Sequence, residues 1–235
     1  MYGRYGYYID STYILVLIGI LLSLMASMKL KATFSKYSRV GNARGITGAQ
    51  AAEQLLRAEG IYDVKVEHIA GNLTDHYSPQ EKVLRLSDSV YNKTSVAAVG
   101  VAAHECGHAM QHRDEYAPLK IRGSLVPAVN IGAQLSWPLI FIGLVLSGAQ
   151  VLIQAGIILF SLTVLFQLVT LPVEFNASRR ALVSLERHGI LQTQEVKSTR
   201  KVLSAAALTY VAAAAASILQ LLRLLLLFGG RRNDD

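Results

Sequence analysis

The sequence predicts a mainly α-helical integral membrane protein with a small α+β soluble domain, and three observations predict it. The composition is oily: of 235 residues, 52% are hydrophobic and 17% charged, and the mean hydropathy is +0.35, beyond an ordinary soluble domain. Four stretches, residues 12–28, 124–147, 150–173 and 204–228, are apolar enough and long enough to cross a bilayer. Between the first two, residues 42–120 have the mixed composition and the size of a small domain.

Taken in order, residues 1–11 form a tail holding four of the eleven tyrosines (Tyr2, Tyr5, Tyr7, Tyr8), which suits an interfacial aromatic belt. Transmembrane helix 12–28 carries no charge. Arg4 ahead of it is offset by Asp10, whereas Lys29, Lys31, Lys36, Arg39 and Arg44 follow it. That bias reads as a signal anchor with the N-terminus outside and the next domain on the cytoplasmic side. Within 42–120, Thr47-Gly48-Ala49-Gln50 opens a helix that runs to Glu59 and is closed by Gly60. The alternating residues 64–67 and 83–86 read as strands, with 71–79 as their connection. A transmembrane hairpin occupies 124–173. A further helix and a cytoplasmic connection fill 174–203, the last span is 204–228, and 229–235 form the C-terminal tail. Arg179, Arg180, Arg187, Lys197, Arg200 and Lys201 crowd the connection while the 147–150 turn is uncharged, which gives the same orientation. Arg231 and Arg232 run against it and are followed by Asp234 and Asp235.

The chemistry gathers at His104-Glu105-Cys106-Gly107-His108, inside a small, apolar, proline-free run that predicts a buried helix. One turn separates the two histidines, so both imidazoles project from one face and can meet a tetrahedral Zn²⁺. Glu105 lies about 100° around the helix, beside the position a water would take. Zinc lowers the pKa of such a water toward about 7. Glu105 is then placed to take its proton and pass it to a leaving amine while the metal polarises the scissile carbonyl.

A third ligand is needed. The metzincin pattern fails, because Gln111 and Asp114 stand where it requires Gly and His. His112 shares the stripe but lies about 12 Å along the axis from His104, a position for a supporting or surface histidine. Glu174 is the better candidate. Pro172 suits the first turn of a helix reaching about His188, ahead of Gly189, which sets Glu174 near the helix N-terminus with Ser178 one turn on. An ordinary N-terminal acid favoured by the helix dipole is the competing reading. Two spans separate His108 from Glu174, so both return to the same face of the membrane, near its surface.

Lesser candidates are His76 and Tyr77 as donors to a tetrahedral oxyanion, against loop aromatics packing on the domain. Arg179 and Arg180 suit a substrate carboxylate, against basic residues at a membrane face. The strand at 83–86 offers an edge on which a substrate backbone could add, against an ordinary packed strand. Cys106, the single cysteine, points away from the histidines as a small core residue and suits a reducing compartment. Net charge +7 is better matched to lipid headgroups than to nucleic acid, because the basic residues cluster at span boundaries. Sequons at Asn72, Asn92 and Asn176 stay unmodified on a cytoplasmic face.

Five segments together carry a resemblance: Gly45-Ile-Thr-Gly48, Leu73-Thr-Asp-His-Tyr-Ser-Pro79, Leu84-Arg-Leu-Ser87, Ala103-His-Glu-Cys-Gly-His-Ala-Met-Gln-His112 and Glu174-Phe-Asn-Ala-Ser-Arg-Arg-Ala181. Over nearly its whole length the chain resembles the YugP-like membrane zinc metallopeptidases, distantly similar to the HtpX-like membrane proteases. The resemblance implies one catalytic zinc held by His104, His108 and Glu174, with Glu105 as general base, in a zincin-like soluble domain of gluzincin type. HtpX-like enzymes have an aspartate one turn after the ligand glutamate. Ser178 stands there in this chain and brings a hydrogen bond without a negative charge. The resulting expectation is an endopeptidase at the cytoplasmic face of the cell membrane, acting on membrane or membrane-proximal polypeptides and not on nucleic acid. The rival is a noncatalytic membrane scaffold with a structural zinc, which requires four protein ligands where no fourth is evident.

Overall fold

The computed structural model describes residues 10–146 and 148–229. The elements run α1 (Tyr13–Tyr37), α2 (Gly48–Ala58), β1 (Lys65–Ile69), β2 (His76–Ser78), β3 (Val83–Ser87), α3 (Val96–Arg113), α4 (Ala117–Val145), α5 (Gln150–Arg187) and α6 (Thr193–Phe228). The protein is mostly helical, and α1, α4, α5 and α6 are long and apolar enough to cross a membrane. The aromatic-belt tyrosines at positions 2, 5, 7 and 8, Arg4 and the charges at 231–235 lie outside the described residues.

The long helices do not stop where their apolar stretches stop. The helix expected to begin near Pro172 is the second half of α5, which passes straight through that proline. Glu174 is therefore mid-helix, and the reading of it as an N-terminal acid on a helix dipole falls. A proline inside a helix leaves the carbonyl four residues back without its donor, but lipid-facing chain has no alternative to continued helix, so a long span absorbs it. That carbonyl belongs to Leu168, the last α5 residue of one of the two compact units into which the chain divides. Within 174–203 the connection expected after the helix that reaches about His188 shrinks to a turn: α5 ends at Arg187, Gly189 adopts φ +60° and α6 starts at Thr193. Glu195 caps that start by accepting from the Gln192 N–H at 2.8 Å.

The unit containing 26–124 and 169–211 has a conventional core. Thr47 caps α2 in a capping box with Gln50, and Gly60 terminates it at φ +73°. The buried face of α2 (Ala51, Ala52, Leu55, Leu56) packs in one cluster with Leu84 and Leu86 of β3, Ala102, Cys106 and Ala109 of α3, and Leu185 of α5. The sheet has the order β1-β3-β2, with β1 parallel and β2 antiparallel to β3.

This sheet corrects the sequence twice. His76 and Tyr77, read as loop aromatics, belong to a third strand, too short and polar to show an alternating pattern. The strand at 83–86 is central and offers no free edge, because β1 and β2 flank it on either side, and Leu84 and Leu86 are buried against α2 and α3. The edges belong to β1 and β2.

α3 begins at Ser95, whose Oγ accepts from the Ala98 N–H at 3.1 Å. Its glycines set how closely other helices approach. A Cβ at Gly107 would be driven into the backbone of Ala177 on α5, and one at Gly100 would meet Thr199 of α6.

The other unit, 1–25, 125–168 and 212–235, is built differently. A few residues, Ile140, Ile153, Ile157 and Leu224, form a narrow core, while Leu17, Phe141, Val151 and Ile158 stand exposed. Large apolar side chains turned outward suit helices whose outer layer is lipid.

Candidate metal centre

α3 sets the His104 and His108 rings one turn apart, edge to face, with centroids 4.8 Å apart. Because Gly107 lets the backbone of α5 come against α3 at Ala177, the Glu174 carboxylate reaches the same point. Ligand atoms of His104, His108 and Glu174 all lie within 4.8 Å of one another, and among the described residues no other group of three such side chains does so. Glu174 is 3% exposed. Its two oxygens are divided: Oε2 is 3.2 Å from His104 Nε2 and 3.6 Å from His108 Nε2, while Oε1 accepts from Arg122 Nη1 at 3.3 Å. The phenol of Tyr210 on α6 lies beside the same carboxylate.

Both rings are held by their other nitrogen. Nδ1 of His104 is 3.0 Å from Ser178 Oγ, and Nδ1 of His108 is 3.0 Å from Gln111 Oε1. The second contact can be assigned by elimination. Arg180 is always a donor, and its Nε–H goes to Asn176 Oδ1 at 2.8 Å. The Gln111 amide also donates to that oxygen, at 3.0 Å, and to the Val173 carbonyl, at 2.8 Å. Oε1 of Gln111 is then left as an acceptor, so neutral His108 carries its proton on Nδ1 and presents a bare lone pair at Nε2. Asp114 closes the chain by pairing with Arg180.

Electrostatics pull His108 both ways. Burial opposes its charge, but the Glu174 hydrogen bond and the nearby Glu105 and Glu174 carboxylates outweigh this and raise its pKa above the ordinary value. Glu105 is 8% exposed and makes no hydrogen bond or ion pair with any described residue. Its charge is felt by His108, by Asp75, whose pKa burial pushes up, and by Tyr210.

Other sequence candidates fall elsewhere. Tyr77 and His112 bond to each other, Tyr77 Oη to His112 Nδ1 at 2.9 Å, and neither hydrogen-bonds a member of the cluster. Burial pushes the Tyr77 phenol up to about 12. His76 Nδ1 donates to the Thr74 carbonyl at 2.9 Å. Arg179 is exposed, and Arg180 belongs to the chain just described. Cys106 is buried with its thiol 3.6 Å from the Ala52 carbonyl, and burial pushes that thiol up.

Sequence reasoning passed over Arg122 and Tyr210, met Gln111 only as a departure from the metzincin pattern, and placed Asn176 in the site only as a sequon. Only the helical spacings His108 to Gln111 and Asn176 to Arg180 hinted that these residues share faces.

Two imidazole nitrogens and one carboxylate oxygen, converging with no fourth protein ligand among the described residues, make a donor set that fits zinc with an open position. The chain belongs to the neutral zinc metallopeptidase family: the model of the family described as "Putative neutral zinc metallopeptidase" matches residues 12–229. Among curated proteins it is similar to the "Putative membrane protease YugP" of Bacillus subtilis (strain 168), with 50% identity over 190 residues, 81% of this chain and 84% of that protein. No solved structure matches.

Proposed function

We propose that this chain is a membrane-embedded zinc endopeptidase of gluzincin type, with one zinc held by His104, His108 and Glu174 and with Glu105 as general base. The observation that carries this reading is the convergence of the three side chains, with Glu105 close enough for its charge to act on His108. When bound, zinc supplies Lewis acidity toward a water and a substrate carbonyl.

The chain's own residues do the rest. Glu105 accepts the proton of the attacking water and delivers it to the leaving nitrogen. Ser178 and Gln111 fix the two imidazoles by their Nδ1 atoms. Arg122 holds Oε1 of Glu174 at 3.3 Å, leaving Oε2 turned to the histidines. The family name and the four apolar helices support polypeptide substrates that are membrane proteins or membrane-proximal segments. Residues 42–120 act as the zincin-like part, completed by the second half of α5. The charge bias supports a site on the cytoplasmic side with the N-terminus outside. Thiol labelling of Gly148→Cys and Lys120→Cys in intact cells tests that orientation, and Lys120→Cys alone reacting from outside would reverse it.

The activity is tested on the full-length protein in detergent, by zinc content and by cleavage of an unfolded substrate. Glu105→Gln keeps zinc and loses about 10²- to 10⁴-fold in rate, while Glu174→Ala loses both zinc and cleavage. Full zinc occupancy in Glu174→Ala would remove that ligand from the reading. Zinc held equally by wild type and Glu105→Gln, with cleavage by neither, would favour a structural zinc.

A further inference from the structure

Away from the metal cluster, the end of α1 and the early part of α6 enclose a cleft of about 600 Å³ lined by Lys29, Thr33, Lys36 and Tyr37 on one side and Arg200 and Lys201 on the other. No acidic side chain lines it. Lys29, Lys36, Arg200 and Lys201 are all exposed, and none of the four forms an ion pair with a described residue. Lys29 and Lys36 are seven residues apart, two turns along one face of α1, and they oppose the adjacent pair on α6. Such a concentration of like charge is unfavourable by itself and calls for an anion.

The floor is firm. Tyr37 and Val202 are buried in one cluster with Val96 and Ala97, the first turn of α3, and Thr199 Oγ1 donates to the Val96 carbonyl at 3.2 Å. The ligand's nature follows from where the cations sit in the chain. Lys29 directly follows the apolar run 12–28, with exposed Met28 just before it, and Arg200 and Lys201 directly precede the apolar run 204–228. A phosphate bound here stands at the point where both helices turn from polar to apolar, as the phosphodiester of a phospholipid does.

The geometry points to a binding site for the phosphate headgroup of an anionic phospholipid, formed by Lys29, Lys36, Arg200 and Lys201. A lipid seated there bridges α1 and α6 against the start of the helix that carries the two histidines. This site stands independently of any hydrolytic activity.

The test uses native mass spectrometry of the full-length protein in detergent with phosphatidylglycerol or phosphatidylcholine of identical acyl chains. Wild type retains phosphatidylglycerol preferentially. Lys36→Gln/Arg200→Gln weakens retention by about thirtyfold, from the loss of two cations near the headgroup. Lys65→Gln/Lys93→Gln removes the same charge from the soluble part and leaves retention unchanged. Equal loss in both double variants overturns the site in favour of net charge alone, as does equal retention of the two lipids by wild type. Complete displacement of phosphatidylglycerol by inorganic phosphate at matched concentration overturns the lipid and assigns the cleft to free phosphate.

Discussion

The two compact units solve the same problem, how to hide apolar surface and satisfy polar groups, in opposite ways. The unit containing α2, the sheet and α3 buries large side chains completely, Leu55, Leu84, Leu86 and Leu185 among them, and gives even fully buried Gln111 a partner for both ends of its amide. The unit built from 125–168 and the outer ends of α1 and α6 leaves many of its large apolar side chains exposed. It also contains the buried atoms Ser136 Oγ, Thr163 Oγ1 and Arg223 Nε, which have no hydrogen-bond partner among the described residues, whereas the first unit has one such atom, Thr170 Oγ1, at its boundary on α5. Arg223 is instead stacked over the Tyr13 ring at 4.1 Å. The first unit buries a broad core of its own; the second needs a solvent that is itself apolar. Geometry as demanding as two oriented imidazoles and a divided carboxylate is found in the first, where the Gln111 amide that orients His108 is itself held by Val173 and Asn176.

The sharpest way to break this contrast is truncation in each unit. Leu55→Ala opens a cavity in a closed core and costs about 2–5 kcal/mol, seen as a lowered midpoint in detergent unfolding. Phe141→Ala removes a side chain that is 67% exposed and shifts stability by no more than about 0.5 kcal/mol. If the two cost the same, something other than lipid covers Phe141 and the contrast fails.

Next in size is Gln111→Leu, which takes away the acceptor for His108 Nδ1 and the donors to Val173 and Asn176. Zinc affinity is expected to fall about 10- to 100-fold with secondary structure retained. Unchanged affinity by competitive chelator titration would mean that the Arg180–Asn176–Gln111 chain does not orient the imidazole.

The smallest effect concerns acid. Burial works against the Glu59 carboxylate, but hydrogen bonds from Ser184 at 2.7 Å and from His188, with the charge of Arg113, hold its pKa below the ordinary 4.5. A depressed carboxylate contributes stability that is fully present above its unfolded value and lost as pH falls through the folded one. Glu59→Gln should therefore lower stability modestly at neutral pH and flatten the loss below about pH 4.5. An unaltered acid limb in the pH dependence of the unfolding midpoint would take Glu59 out of this account.

Legibility in the sequence followed the range of the interactions. Apolar stretches, the capped α2 and the motif on α3 are visible because each signal lies within a few turns of one helix. β2 was not visible, since His76, Tyr77 and Ser78 form a strand only because β3 lies beside them. Glu174 was singled out from its surroundings in sequence, but its helix was misjudged: Pro172 reads locally as a start, and only a continuous span explains why the helix runs through it. The Gln111–Asn176–Arg180 chain joins α3 to α5 across more than sixty positions, and no local pattern announces such a pair.

By itself the sequence determined the class of the molecule, since hydropathy and the spacing of two histidines and a glutamate are properties of short segments governed by transfer energy and helical pitch. Tertiary structure alone decided that Glu174 faces those histidines, that Ser178 and Gln111 orient them, and that four separate cations share one cleft. All of these depend on how separate helices pack, and for Glu174 and its histidines the approach of α5 to α3 is set at Gly107 by the absence of a single side chain.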